Sequence, residues 1–204
     1  MLQAIEISCV RGSRQLFSGL SFQVDRHAAL RVHGENGAGK TSLLRILAGL
    51  APAAAGSVQW DGAAITGLGD GYRGDLLFLG HANALKDDLT PIENLRHALA
   101  VSGVAATRDE LRATLEQDGL GTVANYPVQW LSQGQKRRVA LARLAFGAQR
   151  RLWILDEPFS ALDTPAIERL SARLSQHVAA GGQLVFTTHQ EVALAVSTEQ
   201  LVLQ

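Results

Sequence analysis

Residues 34–41 read Gly-Glu-Asn-Gly-Ala-Gly-Lys-Thr. An apolar run, Ala28-Ala29-Leu30-Arg31-Val32, precedes them, and Ser42-Leu43-Leu44-Arg45-Ile46-Leu47 follows with apolar side chains at helical spacing. A strand, a glycine turn and a helix start in that order form a phosphate cradle. Gly34, Gly37 and Gly39 let the backbone turn tightly enough for its N–H groups to face phosphate oxygens; Glu35, Asn36, Ala38 and Ser42 complete the loop. Lys40 brings a point charge to the β- and γ-phosphates, and Thr41 offers a hydroxyl to Mg²⁺. The expected ligand is a nucleoside triphosphate with magnesium.

A second motif supplies what the cradle lacks. Leu155-Asp156-Glu157-Pro158 ends an apolar strand, Leu152-Trp153-Ile154-Leu155, with two adjacent carboxylates. Asp156 can hold the magnesium shell directly or through water. Glu157 can accept a proton from an attacking water, or orient it. At a strand's carboxyl end, both would lie on the sheet edge where ligands of open α/β sheets gather. The plainer alternatives are a chance glycine turn and a solvated acidic turn, and each is disfavoured by the presence of the other motif.

The remaining pattern must position these groups. Residues 2–10 and 18–25 read as strands of an N-terminal layer, with Leu20, Phe22 and Val24 alternating. Strands are expected at 57–60, 76–80, 152–155 and 184–188. From about 87 to 149 the pattern is helical. Pro91 suits a first turn capped by Thr90 with Glu93 three residues on, and Asp109–Gln117, Gly134–Phe146 and Thr164–Val178 read as further helices. Strands alternating with helices imply an α/β fold with a largely parallel sheet, and the 87–149 stretch reads as a helical insertion.

Composition narrows the function. The 204 residues allow one α/β domain with a small inserted subdomain. Formal net charge is zero, lysine occurs only at 40, 86 and 136, and no basic stripe points to nucleic acid. Cys9 is the only cysteine, which rules out an internal disulfide framework and fits a reducing setting. Neither a cleavable signal pattern nor eighteen consecutive apolar residues occurs, so a membrane role is expected to run through a partner or a surface contact.

Taken as an ordered set over nearly the whole chain, the motifs resemble those of the ATP-binding cassette (ABC) ATPases. Leu131-Ser132-Gln133-Gly134-Gln135 resembles that family's signature, Ser160-Ala161-Leu162-Asp163 its D-loop, and His189 its switch histidine. The resemblance implies a P-loop nucleotide-binding domain of ABC ATPase type with an N-terminal β layer and an inserted helical subdomain. It also implies two copies packed head to tail, each ATP lying between the P-loop of one and the signature of the other. Ser132, Gly134, Gln135 and Asp163 would then act across the pair, while Lys40, Glu157 and His189 serve hydrolysis. Free N–H groups at a helix start suit an anion, in agreement with that role for the signature.

Two positions depart from the family pattern. His81 stands where the family has a glutamine, and its imidazole can meet a metal-bound water or phosphate. Arg11 stands where an aromatic base platform is usual, and its guanidinium can stack on a base, with Phe17 as the alternative. A finer resemblance is to the ATP-binding subunit of the bacterial haem exporter of cytochrome c biogenesis. It rests on Arg14-Gln15-Leu16-Phe17-Ser18-Gly19-Leu20-Ser21-Phe22, on Leu79-Gly80-His81 with Leu85-Lys86, and on the short C-terminal end. It implies an integral membrane permease partner, a location on the cytoplasmic face of the inner membrane, and ATP turnover linked to release of a haem-loaded chaperone. Permease contact is expected near residues 82–98, with Leu85, Leu89, Ile92 and Leu95 either core or interface. The rival readings are the ATPase subunit of another ABC importer or exporter, a non-hydrolytic ATP-sensing module, and a nucleic-acid-associated cassette.

Overall fold

The computed structural model describes residues 1–203. Strand β1 (Leu2–Arg11) turns at Gly12-Ser13 into β2 (Arg14–Val24), and the two pair antiparallel from Leu2↔Val24 to Arg11↔Arg14. The second strand thus begins four residues earlier than the 18–25 expected. Its polar first half, Arg14-Gln15, carries no apolar alternation, and the two-residue turn rather than hydrophobicity sets its start. β4 (Ala55–Trp60) and the short β5 (Ala63–Ala64) complete a sheet ordered β2-β1-β4-β5.

The second sheet is parallel and runs β6-β7-β8-β3-β9. Its strands are β3 (Ala29–Gly34), β6 (Leu76–Leu79), β7 (Leu152–Leu155), β8 (Gln183–Thr187) and β9 (Thr198–Leu203). β7 and β8 are buried along their whole length, as interior strands covered on both faces should be. Strand β9 and the short helices α2 (Ile65–Leu68) and α3 (Asp70–Asp75) carry too little apolar periodicity to be expected from sequence.

Three apolar clusters hold the layers together. Helix α1 (Lys40–Leu47) inserts Leu43, Leu44, Ile46 and Leu47 between the two sheets, against Leu2, Ile7, Val32 and Ile154. Helix α7 (Thr164–Ala179) covers the other face of the parallel sheet through Leu170, Leu174 and Val178, which meet Trp153, Leu184 and Phe186. The third cluster lies among α4 (Pro91–Val101), α5 (Arg108–Gln117) and α6 (Gln133–Ala142). Thr90 and Glu93 form the expected capping box, and Thr107 with Glu110 forms another. The helix expected over 134–146 is α6 followed by a tighter turn at Arg143–Phe146.

Ile92 and Leu95 are only 4% and 2% exposed within the third cluster. They are therefore core, not free contacts for a membrane partner, whereas Leu85 and Leu89 stay half-exposed. No helix among the described residues is long and apolar enough to cross a membrane.

His177 near the end of α7 stacks on Trp153, with ring centroids 3.9 Å apart and planes within 7°, and its Nε2 lies 3.2 Å from the carbonyl oxygen of Gln183. Burial pushes its pKa down to about 4, against the lesser pull of that carbonyl. The folded state therefore holds this ring neutral where the unfolded chain would protonate it, so stability present above pH 6.5 is lost as pH falls toward 4. Between pH 7 and 5 the loss should reach about 2 kcal/mol. Chemical denaturation of His177→Phe across that range should show a markedly flatter pH dependence than the parent chain.

Candidate nucleotide site

All four loops that carry the predicted chemistry leave the carboxyl ends of neighbouring strands. The glycine loop follows β3, Asp156-Glu157 follows β7, His189 follows β8 and His81 follows β6. Together they line a cleft of about 560 Å³ whose walls include Asn36, Lys40, Thr41, Asp156, Glu157 and His189. The parallel sheet thus converts residues scattered over 150 positions of chain into one edge.

The glycine loop has the backbone its residues predict. Gly37 and Gly39 have φ of 87° and 101°, in the left-handed region. Gly39 begins α1 without any side-chain cap, and no acidic residue occupies the first turn. The first-turn N–H groups therefore point into the cleft as an anion site. Lys40 Nζ donates to the carbonyl oxygens of Gly34 at 2.7 Å and Glu35 at 3.0 Å, which curls its ammonium over the loop.

Asp156 is buried, 3% exposed, yet fully bonded. Its Oδ2 accepts from the Thr41 hydroxyl at 2.8 Å and its Oδ1 from the Thr187 hydroxyl at 2.8 Å. Thr187 Oγ1 also accepts from the Glu157 N–H at 2.8 Å. One hydroxyl thus orders both carboxylate-bearing residues. Oxygen-only donors from Thr41 and Asp156 fit Mg²⁺, which takes few protein ligands and completes its shell with phosphate and water. His81 is exposed on the wall of the same cleft.

Glu157 adopts φ 49°, an uncommon conformation for a residue with a side chain. Its Oε2 accepts from the His189 N–H at 3.3 Å, and its Oε1 lies 3.5 Å from His189 Nε2. That Oε1 is buried without a hydrogen-bond partner, an acceptor left unused beside His189. Nearby His33 has its pKa held below the usual range, first by burial and then by the charges of Arg31 and Lys40. It adds no further positive charge at neutral pH.

Two supports escape sequence reasoning. Thr187 is one; Arg137, inside α6, is the other. Its guanidinium is 2% exposed and donates to the carbonyl oxygens of Asp156 and Glu157 at 2.8 Å each, and to Asn83 Oδ1 at 3.0 Å. Burial draws its pKa down to about 10, partly offset by Asp156 and Glu157, so it stays charged at pH 7. A buried arginine in a signature-like helix is indistinguishable by spacing from its half-buried neighbour Arg138.

Ser132, Gly134, Gln135 and Asp163 lie outside this cleft. Ser132 caps α6, its hydroxyl accepting from the Gln135 N–H while Gln135 reaches back to the Ser132 N–H. Asp163 caps α7 through the Ala166 N–H at 3.0 Å. The two helix starts are close: a Cβ on Gly134 would stand 2.6 Å from the carbonyl oxygen of Ala161. The signature-like and D-loop-like segments therefore form one surface, separate from the cleft.

The aromatic alternative for the base fails. Phe17 is 8% exposed and packs in the core beside Gly39. Arg11 and Arg14, opposed across the hairpin turn, form that rim instead.

The family model described as "ABC transporter" matches residues 17–160. The cytochrome c biogenesis ATP-binding export protein CcmA of Aromatoleum aromaticum is 50% identical over 196 residues, covering 96% of this chain and 92% of that protein. The protein of the same name from Dechloromonas aromatica is 49% identical, covering 97% of each. A solved ATP-binding subunit of an ABC transporter superposes with a TM-score of 0.80 at 26% identity, over 92% of this chain and 79% of that one.

Thr187→Val keeps the volume but strips Asp156 and the Glu157 N–H of their shared partner. Denaturant titration should show a loss of about 1–3 kcal/mol, the usual penalty for buried polar groups left unpaired.

Proposed function

The chain belongs to the ABC transporter family, as an ATPase of the cytochrome c biogenesis export type, and on that premise we propose how its site residues work. ATP sits with its phosphates on the loop from Gly34 to Ser42, where first-turn N–H groups and Lys40 balance their charge. Thr41 and Asp156 hold Mg²⁺, with His81 as an outer contact; the ion supplies charge neutralisation at the transferring phosphoryl group. Glu157 accepts the proton of the attacking water, and His189, bonded to it, fixes its direction. The observation that carries this reading is the single cleft joining Lys40, Thr41, Asp156, Glu157 and His189.

A second copy completes each site. Ser132, Gly134 and Gln135 of one copy meet the γ-phosphate held by the other, and Asp163 links the two sites across the pair. The separation of the two half-sites within one chain supports this arrangement. Each then becomes useful only when copies close over ATP, so turnover and closure are coupled.

The mechanical output passes to an integral membrane permease, which holds the chain at the cytoplasmic face of the bacterial inner membrane. The relatives' shared name, a cytochrome c biogenesis ATP-binding export protein, supports the haem exporter and release of its haem-loaded chaperone as the process driven. A groove of about 260 Å³ between the loop after His81 and α4 fits the permease contact, with Leu85, His97, Ala98 and Val101 on its walls. Asn94 clamps the loop to α4, accepting from the Lys86 N–H at 2.8 Å and donating to the Lys86 carbonyl at 3.0 Å. Through Asn83 and Arg137 the groove is wired directly to the backbone of Asp156 and Glu157.

Phosphate release by the purified chain should vanish in Lys40→Ala. In Glu157→Gln it should fall by at least about a hundredfold while ATP-dependent pairing persists; brisk turnover by this second variant would refute the proton-accepting role. Asn83 is tied to Arg137 and so is not a neutral place to disturb the groove. Val101, 77% exposed on the groove, is the better one. Val101→Asp should abolish permease co-purification and leave ATP binding intact.

A further inference from the structure

Among the described residues only two aromatic side chains are largely exposed, Tyr126 at 53% and Trp130 at 70%. They stand together, ring centroids 6.3 Å apart, immediately before the signature. Every other tryptophan is core: Trp60 is 3% exposed and Trp153 2%.

The segment that carries Trp130 is fixed, not loose. Val128 donates its N–H to the Leu89 carbonyl at 2.9 Å, Gln129 to Asp87 at 3.0 Å and Trp130 to Pro127 at 3.1 Å. Leu131 is extended, with φ −82° and ψ 146°, and its side chain is buried. Trp130 ends a tight 3-10 turn, Val128–Trp130, so it leads directly into the signature. Trp130 and Ser132 are both exposed on either side of the buried Leu131, at most about 7 Å apart along the chain.

The nucleotide cleft has the complementary deficiency. Its rim offers Arg11, Arg14 and Leu16 but no aromatic surface for a base. A guanidinium can cover one face of a purine, and the other face is left open.

We propose that Trp130 of one copy stacks on the adenine of the ATP held by the other, closing the base between its indole and Arg11. The inference rests on the two-copy reading above. If Ser132 reaches the γ-phosphate of the facing copy, Trp130, two residues before it and exposed, is carried with it toward the nucleotide's base end. Stacking would supply the base contact that the hairpin lacks, and it would form only on closure. Trp130 then makes the pairing sensitive to the base as well as to the triphosphate. Tyr126 backs the indole and limits its rotamers.

Because Trp130 is the exposed tryptophan, its emission reports the contact. In Glu157→Gln chain, Mg–ATP should quench tryptophan fluorescence in step with dimer formation followed by light scattering. Trp130→Ala in the same background should remove the quench and raise the ATP concentration needed for pairing by roughly tenfold, within the range measured for base–aromatic stacking. Trp130→Phe should restore most of the pairing. Pairing at unchanged ATP concentration in Trp130→Ala, with no ATP-dependent quench in the parent, would overturn the proposal and leave the two-copy reading standing. Failure of the Glu157→Gln chain to pair with ATP at all would overturn both.

Discussion

The site depends on one buried carboxylate. Asp156 lies at the end of an interior strand, where an unpaired charge would cost several kcal/mol. Its oxygens are held by hydroxyls from two different elements, Thr41 in the helix after β3 and Thr187 at the end of β8. The carboxylate therefore does two things at once. It ties the glycine loop to the centre of the parallel sheet, and it sets carboxylate and hydroxyl oxygens beside the uncapped start of α1, where the proposed Mg²⁺ would be held. Arg137 extends the same logic outward, since its fork holds the Asp156 and Glu157 carbonyls while also reaching Asn83. A displacement of the loop after β6 cannot occur without disturbing those bonds.

Much of this was legible in the residues. The glycine loop, the paired carboxylates and the strand-end histidine each have a composition that few other structures require, and the parallel sheet brings them to one edge as expected. The capping box at Thr90 was equally readable, because a hydroxyl and a long polar side chain three residues apart are a local device. What escaped detection is non-local. Thr187 is an ordinary β-branched strand residue until β7 lies beside it. Arg137 looks like any polar position of a basic helix until the helix is docked on the strand ends. Ile92 and Leu95 prove to be core, the reading favoured for each; helical spacing alone gives an apolar face but not which neighbour covers it. Phe17 shows the same limit, since its place near the cradle could mean base platform or core, and only packing against Gly39 decides.

The treatment of helix starts separates structural ends from functional ones. α4, α5, α6 and α7 begin with side-chain caps from Thr90, Thr107, Ser132 and Asp163. α1 begins with Gly39 and none. An uncapped start leaves several N–H donors and a positive helix end directed at the cleft, and only an anion satisfies them together. Binding energy for phosphate is thus stored in the one long helix that the chain declines to cap. The signature helix α6 is different in kind. Its cap already uses the Gln135 N–H, so a phosphate arriving there meets fewer free donors and is held more weakly than at α1. That inequality suits the proposed two-copy cycle, in which the nucleotide would stay with the copy that owns the cradle and the facing signature would make the contact that forms and breaks as the pair closes and opens.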